Sequence, residues 1–157
     1  MNYYDSIAKG YSSLYSSEQL KKFENVKALI PNKGLILDLG CGTGFVTEKL
    51  DNVIGVDYSI EMLKLCPKNL RVVCADSSKL PFKCKVFDLI FSLTVLQDVN
   101  DLNSAISEIK RVLKPEGKIV LSVLNKNKIN EIRKLLKKEF KKLKEKENYN
   151  DVVFFTQ

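Results

Sequence analysis

The 157-residue chain has no histidine and no tryptophan, only four cysteines and four prolines, and no apolar run near the ~20 residues that a membrane-spanning helix needs. Each absence narrows what it can do. Without imidazole there is no histidine base and no histidine metal ligand. Cys41, Cys66, Cys74 and Cys84 contain no C-x-x-C pair, so no metal site is expected. Cys41 sits in a glycine turn and Cys74 in an apolar run, which fits reduced, structural thiols. The start, Met1 to Asp5, lacks the basic and apolar regions of a signal peptide, so the expectation is a cytoplasmic protein without a membrane partner. The length suits a single domain, and the 45% apolar fraction is ordinary for a globular one.

Positive charge is present in excess but unevenly placed. Of the formal +7, +5 falls in residues 125–157, which hold 10 basic and 5 acidic side chains. Two readings stand for this tail: a phosphate-binding footprint, or the solvated Lys-rich face of an amphipathic helix, the second being the simpler.

The organising stretch is Leu35-Ile36-Leu37-Asp38-Leu39-Gly40-Cys41-Gly42-Thr43-Gly44. Its nearly continuous apolar residues suit a strand buried on both faces of a parallel sheet. Three glycines at alternate positions then form a turn without Cβ atoms in a ligand's way, and the following amides point at that ligand. A dinucleotide fingerprint aligned on Gly40 and Gly42 would need Gly or Ala at 45, where Phe45 stands, which argues against NAD or FAD.

Further strands follow in order. Val53 to Asp57 ends in an acid nineteen residues after Asp38, close to the ~20 expected for a carboxylate that holds a ribose diol. The alternative for Asp57 is the N-cap of the helix that begins near Tyr58. Leu70 to Ala75 leads into Asp76-Ser77, and Val86 to Ser92 leads into Leu93 to Asp98. Asp101 caps a helix with Leu102, Ala105, Ile106, Ile109, Val112 and Leu113 on its inner side. Lys114-Pro115-Glu116-Gly117 turns into a fifth strand, Lys118 to Leu124. Upstream, Ser16 and Ser17 offer N-caps for a helix from about Glu18 to Ile30, and Phe45 to Leu50 reads as a short helix. Ile129 to Phe140 reads as helix, 141–148 as either its continuation or a sixth strand, and Asp151 to Phe155 as strand.

The string Asp38-x-Gly40-x-Gly42-x-Gly44, with the later acids in order, resembles the class I S-adenosylmethionine-dependent methyltransferases, type 11 in particular, from Asp38 to about Val123. The resemblance implies a Rossmann-like α/β fold: a three-layer αβα sandwich around a mostly parallel seven-stranded sheet, order 3-2-1-4-5-7-6, the last strand antiparallel. It implies one domain, with 1–33 a helical cap over the cofactor cleft and 34–157 the core. The cofactor would be S-adenosylmethionine, leaving as S-adenosylhomocysteine. Asp38, Gly40, Cys41, Gly42, Gly44, Asp57, Tyr58, Asp76, Ser77 and Ser92 would hold it, Asp76 and the Ser77 amide reading the adenine edge.

The expected activity is methyl transfer to an acceptor, a small molecule favoured. The alternatives are an RNA or protein methyltransferase, suggested by the basic tail and the missing lid insertion after strand five, or a cofactor-binding subunit acting with a partner. Where many relatives carry a histidine pair this chain has Gln97 and Asp98, and it lacks the Asn/Asp-Pro-Pro-Tyr/Phe string of base and glutamine methylators. If the nucleophile must lose a proton, Asp98 or Tyr11 is the candidate base. Tyr3, Tyr4, Tyr11 and Tyr15 either wall the site or anchor the N-terminal segment.

Overall fold

In strand β4 (Phe87–Leu93), apolar residues alternate between two layers, and this alternation organises the molecule. Leu89, Phe91 and Leu93 pack with Phe23 and Val26 on one face of the sheet, while Phe87 and Ile90 join Ile106, Ile109 and Val112 on the other. The computed structural model describes residues 3–148 and 150–157, the side chains of 3, 4, 6 and 9–14 excepted.

Seven strands among the described residues form one sheet in the order β3-β2-β1-β4-β5-β7-β6, as the family resemblance implies. The others are β1 (Ile36–Leu39), β2 (Val53–Asp57), β3 (Val72–Cys74), β5 (Leu113–Leu124), β6 (Leu143–Asn148) and β7 (Asp151–Thr156). β1 pairs in parallel with β2 and β4, β2 with β3, and β4 with β5. β7 inserts antiparallel between β5 and β6. Strands β1, β2 and β3 therefore deliver Asp38, Asp57 and the chain leading to Asp76 to one edge of the sheet.

Helix α3 (Leu102–Val112) begins at Asp101, whose carboxylate accepts from the Ser104 amide at 3.0 Å, as expected for an Asp N-cap. Helix α4 (Ile129–Glu139) covers the same face. No helix among the described residues is long and apolar enough to cross a membrane.

Several boundaries differ from expectation. Helix α1 spans Tyr3–Val26 and continues as a 3-10 turn, Lys27–Leu29, so Ser16 and Ser17 are mid-helix residues and not N-caps. The first half of α1 has no apolar periodicity of its own, and it is held as helix by Asp5 meeting Ser59 at one end and by the second half, anchored by Phe23 and Val26, at the other. Phe45 to Leu50 holds only a 3-10 turn, Thr47–Lys49. The N-cap of α2 (Ile60–Leu63) is Ser59, whose hydroxyl accepts from the Met62 amide. Residues Lys114 to Gly117 do not precede β5 but lie within it: Phe87 pairs with Leu113, and Leu89 next pairs with Lys118, so the Pro-Gly segment bulges out of the ladder. Residues 143–148 are a strand, carrying Lys and Glu outward on an exposed edge.

The β6–β7 hairpin is fastened to α1 by a buried polar network. Lys22, 2% exposed, reaches Asp151 at 3.1 Å and Glu18 at 2.8 Å. The Ser122 hydroxyl donates to Asp151, and Asn25 donates to Asn148 at 2.8 Å. The Phe23 ring meets Phe91 edge-on at 6.1 Å between centroids.

Candidate functional site

The glycine turn is built by close approach. Gly40 has φ +77°, and a Cβ there would lie 2.1 Å from Cγ2 of Val95, so both the backbone and the neighbouring loop require glycine. The amides of Gly40 and Cys41 donate to the Val56 carbonyl at 2.7 and 3.0 Å, which fixes the turn to β2. The Gly42 amide donates to Oδ2 of Asp57 at 2.8 Å, and the Ser59 amide to its Oδ1 at 2.8 Å. Asp57 is thus half-buried at the end of β2 and caps no helix. The Tyr58 amide also donates to it, so three backbone amides converge on this carboxylate.

Asp38 lies beneath the turn and is 3% exposed. Thr47, nine residues on, donates its hydroxyl to Asp38 Oδ2 at 2.6 Å. Burial pushes the Asp38 carboxyl up to about 7, with the Asp57 charge adding to this and the Thr47 bond opposing it. Burial likewise raises Asp57, against the bonds from Ser59 and Gly42. Two acids stand close together here, and among the described residues neither has an ion-pair partner.

Above the turn passes α1. Ser16 and Gln19 line a cleft of about 480 Å³, open mouth included, together with Asp38, Gly40 to Thr43, Phe45, Val46, Phe91 and Leu93. Gln19 donates from Nε2 to the Thr94 hydroxyl oxygen at 3.2 Å. Thr94 has φ +57°, rare for a β-branched residue, and this turns the chain after β4 back onto Gly40 through Val95. At the helix's other end Ser59 donates to Asp5 at 2.5 Å, so α1 bridges the site from β2 to the hairpin.

The structure gathers Asp38, Gly40, Cys41, Gly42, Gly44 and Asp57 at one place. Tyr58 beside them is 64% exposed. Asp76 is exposed, and its Oδ1 accepts from the amide and hydroxyl of Ser78, at 2.8 Å each, which shapes the loop carrying Ser77. The Ser92 side chain is buried and donates to the Leu39 carbonyl at 2.8 Å, tying β4 to β1. Asp98 is exposed, outside the cleft lining, and accepts from Gln97 at 3.0 Å. The side chains of Tyr3, Tyr4 and Tyr11 lie outside the described residues.

Sequence reading missed Ser16, Gln19, Thr47, Thr94 and Asp5. Polar residues on a helix give no signal of what crosses beneath them, and the Thr94 backbone has none at all. Only Thr47 was within reach, as the first hydroxyl after the Gly40–Gly44 turn.

A family model described as a methyltransferase domain matches residues 37–121. An uncharacterized protein of Methanocaldococcus jannaschii is 38% identical over 147 residues, covering 90% of this chain and 59% of that protein. Two others from the same organism are covered over 53% and 63% of their lengths, so the chain spans little more than half of such curated relatives. Among solved structures, a putative S-adenosyl-L-methionine-dependent methyltransferase from Methanococcus maripaludis has a TM-score of 0.82 at 16% identity, covering 100% of this chain and 94% of that one. A complex of the Haloferax volcanii Trm112 methyltransferase activator with a putative methyltransferase gives 0.79 at 16%, covering 99% and 97%.

Proposed function

The chain belongs to the S-adenosylmethionine-dependent methyltransferases, and from that premise we propose that it transfers the methyl group to a small-molecule acceptor in the cytoplasm. We read 34–157 as the catalytic core and 1–33 as its cap, within one domain. The observation that carries the proposal is the cleft that Ser16 and Gln19 of α1 line together with Asp38 and Gly40 to Thr43, with Asp57 fastened to it through the Gly42 amide.

The donor set fits this cofactor. Two neighbouring carboxylates without a cationic partner suit a ligand that is itself cationic and carries a diol. The acceptor capacity that Asp57 keeps beside its three backbone amides suits a ribose hydroxyl, and that of Asp38, with the turn's backbone, suits an ammonium group. On this reading Tyr58 would flank the adenine, and Asp76 with the Ser77 amide would read its edge.

When bound, S-adenosylmethionine supplies an electrophilic methyl on a sulfonium. What the chain's own residues do is bind, orient and exclude water. Phe91 and Leu93 floor the cleft with apolar surface, and α1 roofs it, which keeps water from competing for the methyl. Gln19, held by Thr94, and Ser16 offer neutral polar groups that orient an acceptor toward the turn. Asp98 stands outside this lining, so a base role for it requires the acceptor to reach beyond the cleft mouth.

A second reading has one observation in its favour. Tyr58, Ile60 and Leu65 are the exposed large hydrophobics among the described residues, and they cluster around α2 beside edge strand β3. That suits a partner subunit, and the Haloferax volcanii structure is of a putative methyltransferase with an activator. An RNA or protein acceptor rests on the charged tail and on the short loop between β5 and α4, which holds no inserted lid.

Calorimetric titration with S-adenosylhomocysteine and with NAD tests the premise. Binding of the first and not the second is expected, and the reverse would overturn it. Turnover of small acceptors by the isolated chain then separates the first reading from a partner-dependent one.

A further inference from the structure

Two of the four thiols meet at the cofactor turn. Cys41 follows Gly40 in the loop, and Cys66 follows α2. Their thiols both donate to the same atom, the carbonyl oxygen of Gly42, with the sulfurs 3.9 and 3.4 Å from it. The surrounding backbone is bare where the sulfurs sit. A Cβ on Gly55 would come within 2.8 Å of the Cys41 sulfur, and one on Gly44 within 3.2 Å of the Cys66 sulfur. Glycine weakens the middle of a strand, so Gly55 in β2 is explained by the room it leaves for Cys41. Cys74 and Cys84 are exposed and apart from the pair, near the Tyr58 carbonyl and the Arg111 guanidinium.

We propose that Cys41 and Cys66 are an oxidation site at which a peroxide forms a disulfide across the glycine turn, weakening cofactor binding. The effect on binding rests on the reading of this cleft as the S-adenosylmethionine site; the disulfide does not.

The chemistry divides between the two sulfurs. The neighbouring Cys41 thiol holds Cys66 below the ordinary thiol range, against burial and the charges of Asp57 and Asp38, while the pairing with Cys66 and burial keep Cys41 protonated. Cys66 as thiolate attacks one peroxide oxygen. The S–O bond forms, the O–O bond breaks, and hydroxide leaves, taking a proton from solvent to become water. The Cys41 sulfur then attacks the Cys66 sulfenic acid. The S–S bond forms, the S–O bond breaks, and the departing hydroxide takes the Cys41 proton as a second water. Each sulfur gives up one electron, and the peroxide is reduced by two.

A disulfide needs the sulfurs ~2.05 Å apart, well inside hydrogen-bonding distance, so the turn and the end of α2 must draw together. The Cys41 sulfur is already against β2, and the Gly42 amide bond to Asp57 is the adjacent link that such a movement breaks. Losing one hydrogen bond to a charged group lowers affinity roughly tenfold.

The test uses the full chain with Cys74→Ser and Cys84→Ser, treated with hydrogen peroxide. Peptides are mapped without reduction, and S-adenosylhomocysteine is titrated before and after. We expect a linked Cys41–Cys66 peptide, a roughly tenfold weaker titration and recovery with dithiothreitol, with Cys66→Ser abolishing linkage and weakening together. Cys66 recovered as sulfinic or sulfonic acid without linkage overturns the site. Linkage with unchanged affinity overturns the effect on binding. If the reduced chain binds no S-adenosylhomocysteine, the reading of the cleft fails and the effect with it, while the peptide map still decides the disulfide.

Discussion

The Gly42 amide donates to Oδ2 of Asp57 at 2.8 Å, so the acid that ends β2 holds the turn that ends β1. Asp57 therefore has a structural task beside the proposed ligand one. Asp57→Ala removes the acceptor of both the Gly42 and Ser59 amides and should cost ~1 to 3 kcal/mol of stability. It should also cost ~10 to 100-fold in S-adenosylhomocysteine affinity. Asp57→Asn retains one acceptor oxygen and should keep more stability than affinity. Urea denaturation and calorimetry measure the two separately, and an alanine variant that binds as wild type would remove Asp57 from the site.

The core of this site was legible because strand ends announce themselves. Asp38, Asp57 and the three glycines follow apolar runs, and a parallel sheet brings the carboxyl ends of its strands to one edge. What crosses that edge was not legible. Helix α1 starts fifteen residues earlier than the Ser16-Ser17 caps suggest, because its first half is held by contacts such as Asp5 with Ser59 that no local pattern encodes. The undecided 141–148 segment became a strand because β7 offered it a partner, as alternating Lys and Glu carry little intrinsic preference for a strand.

Asp38 gives the site a pH dependence. Its carboxyl, ordinarily at 3.8, is pushed up to about 7 by burial, so between those values the native state holds a proton that the unfolded chain has lost. Stability from this group is therefore greatest below 3.8 and falls as pH rises to about 7, beyond which it is level. Affinity for a cationic cofactor should move the other way, rising through the same window as Asp38 ionises. Asp38→Asn should flatten both trends, leaving the smaller contribution of Asp57, which has the same sign. Melting temperature and S-adenosylmethionine titration from about pH 5 to 8 give the comparison; equal slopes in wild type and variant would show that Asp38 does not titrate there.

The Lys22–Asp151 pair joins α1 to the hairpin and is shielded from water on both sides. Lys22→Met leaves the Asp151 charge buried with only Ser122, which should cost ~3 to 5 kcal/mol. Adding Asp151→Asn removes the stranded charge and should restore much of that loss. Urea midpoints of the single and double variants measure it. A double variant as unstable as Lys22→Met would mean that packing of the Lys22 stem, and not its charge, holds the helix.

Because α1 is anchored at Lys22 and Phe23 but reaches Ser59 only through its first turns, its two halves should separate in function. A chain beginning at Ser16 keeps Phe23, Val26 and Gln19, so the sheet should fold, but it loses the Asp5 contact and the buried Ala8. That uncovers the mouth of the cleft, and turnover should fall because water is no longer excluded. The exposed Lys137, Lys138, Lys141 and Lys142 contact no part of the cleft lining, and changing each to Ala should cost ~0.5 kcal/mol or less. The measurement is S-adenosylhomocysteine affinity and methyl transfer for the truncated chain against the four-lysine variant. Should the truncated chain work as wild type while the lysine variant fails, the acceptor is an anion tracked along α4, and a nucleic acid replaces the small molecule as the better account.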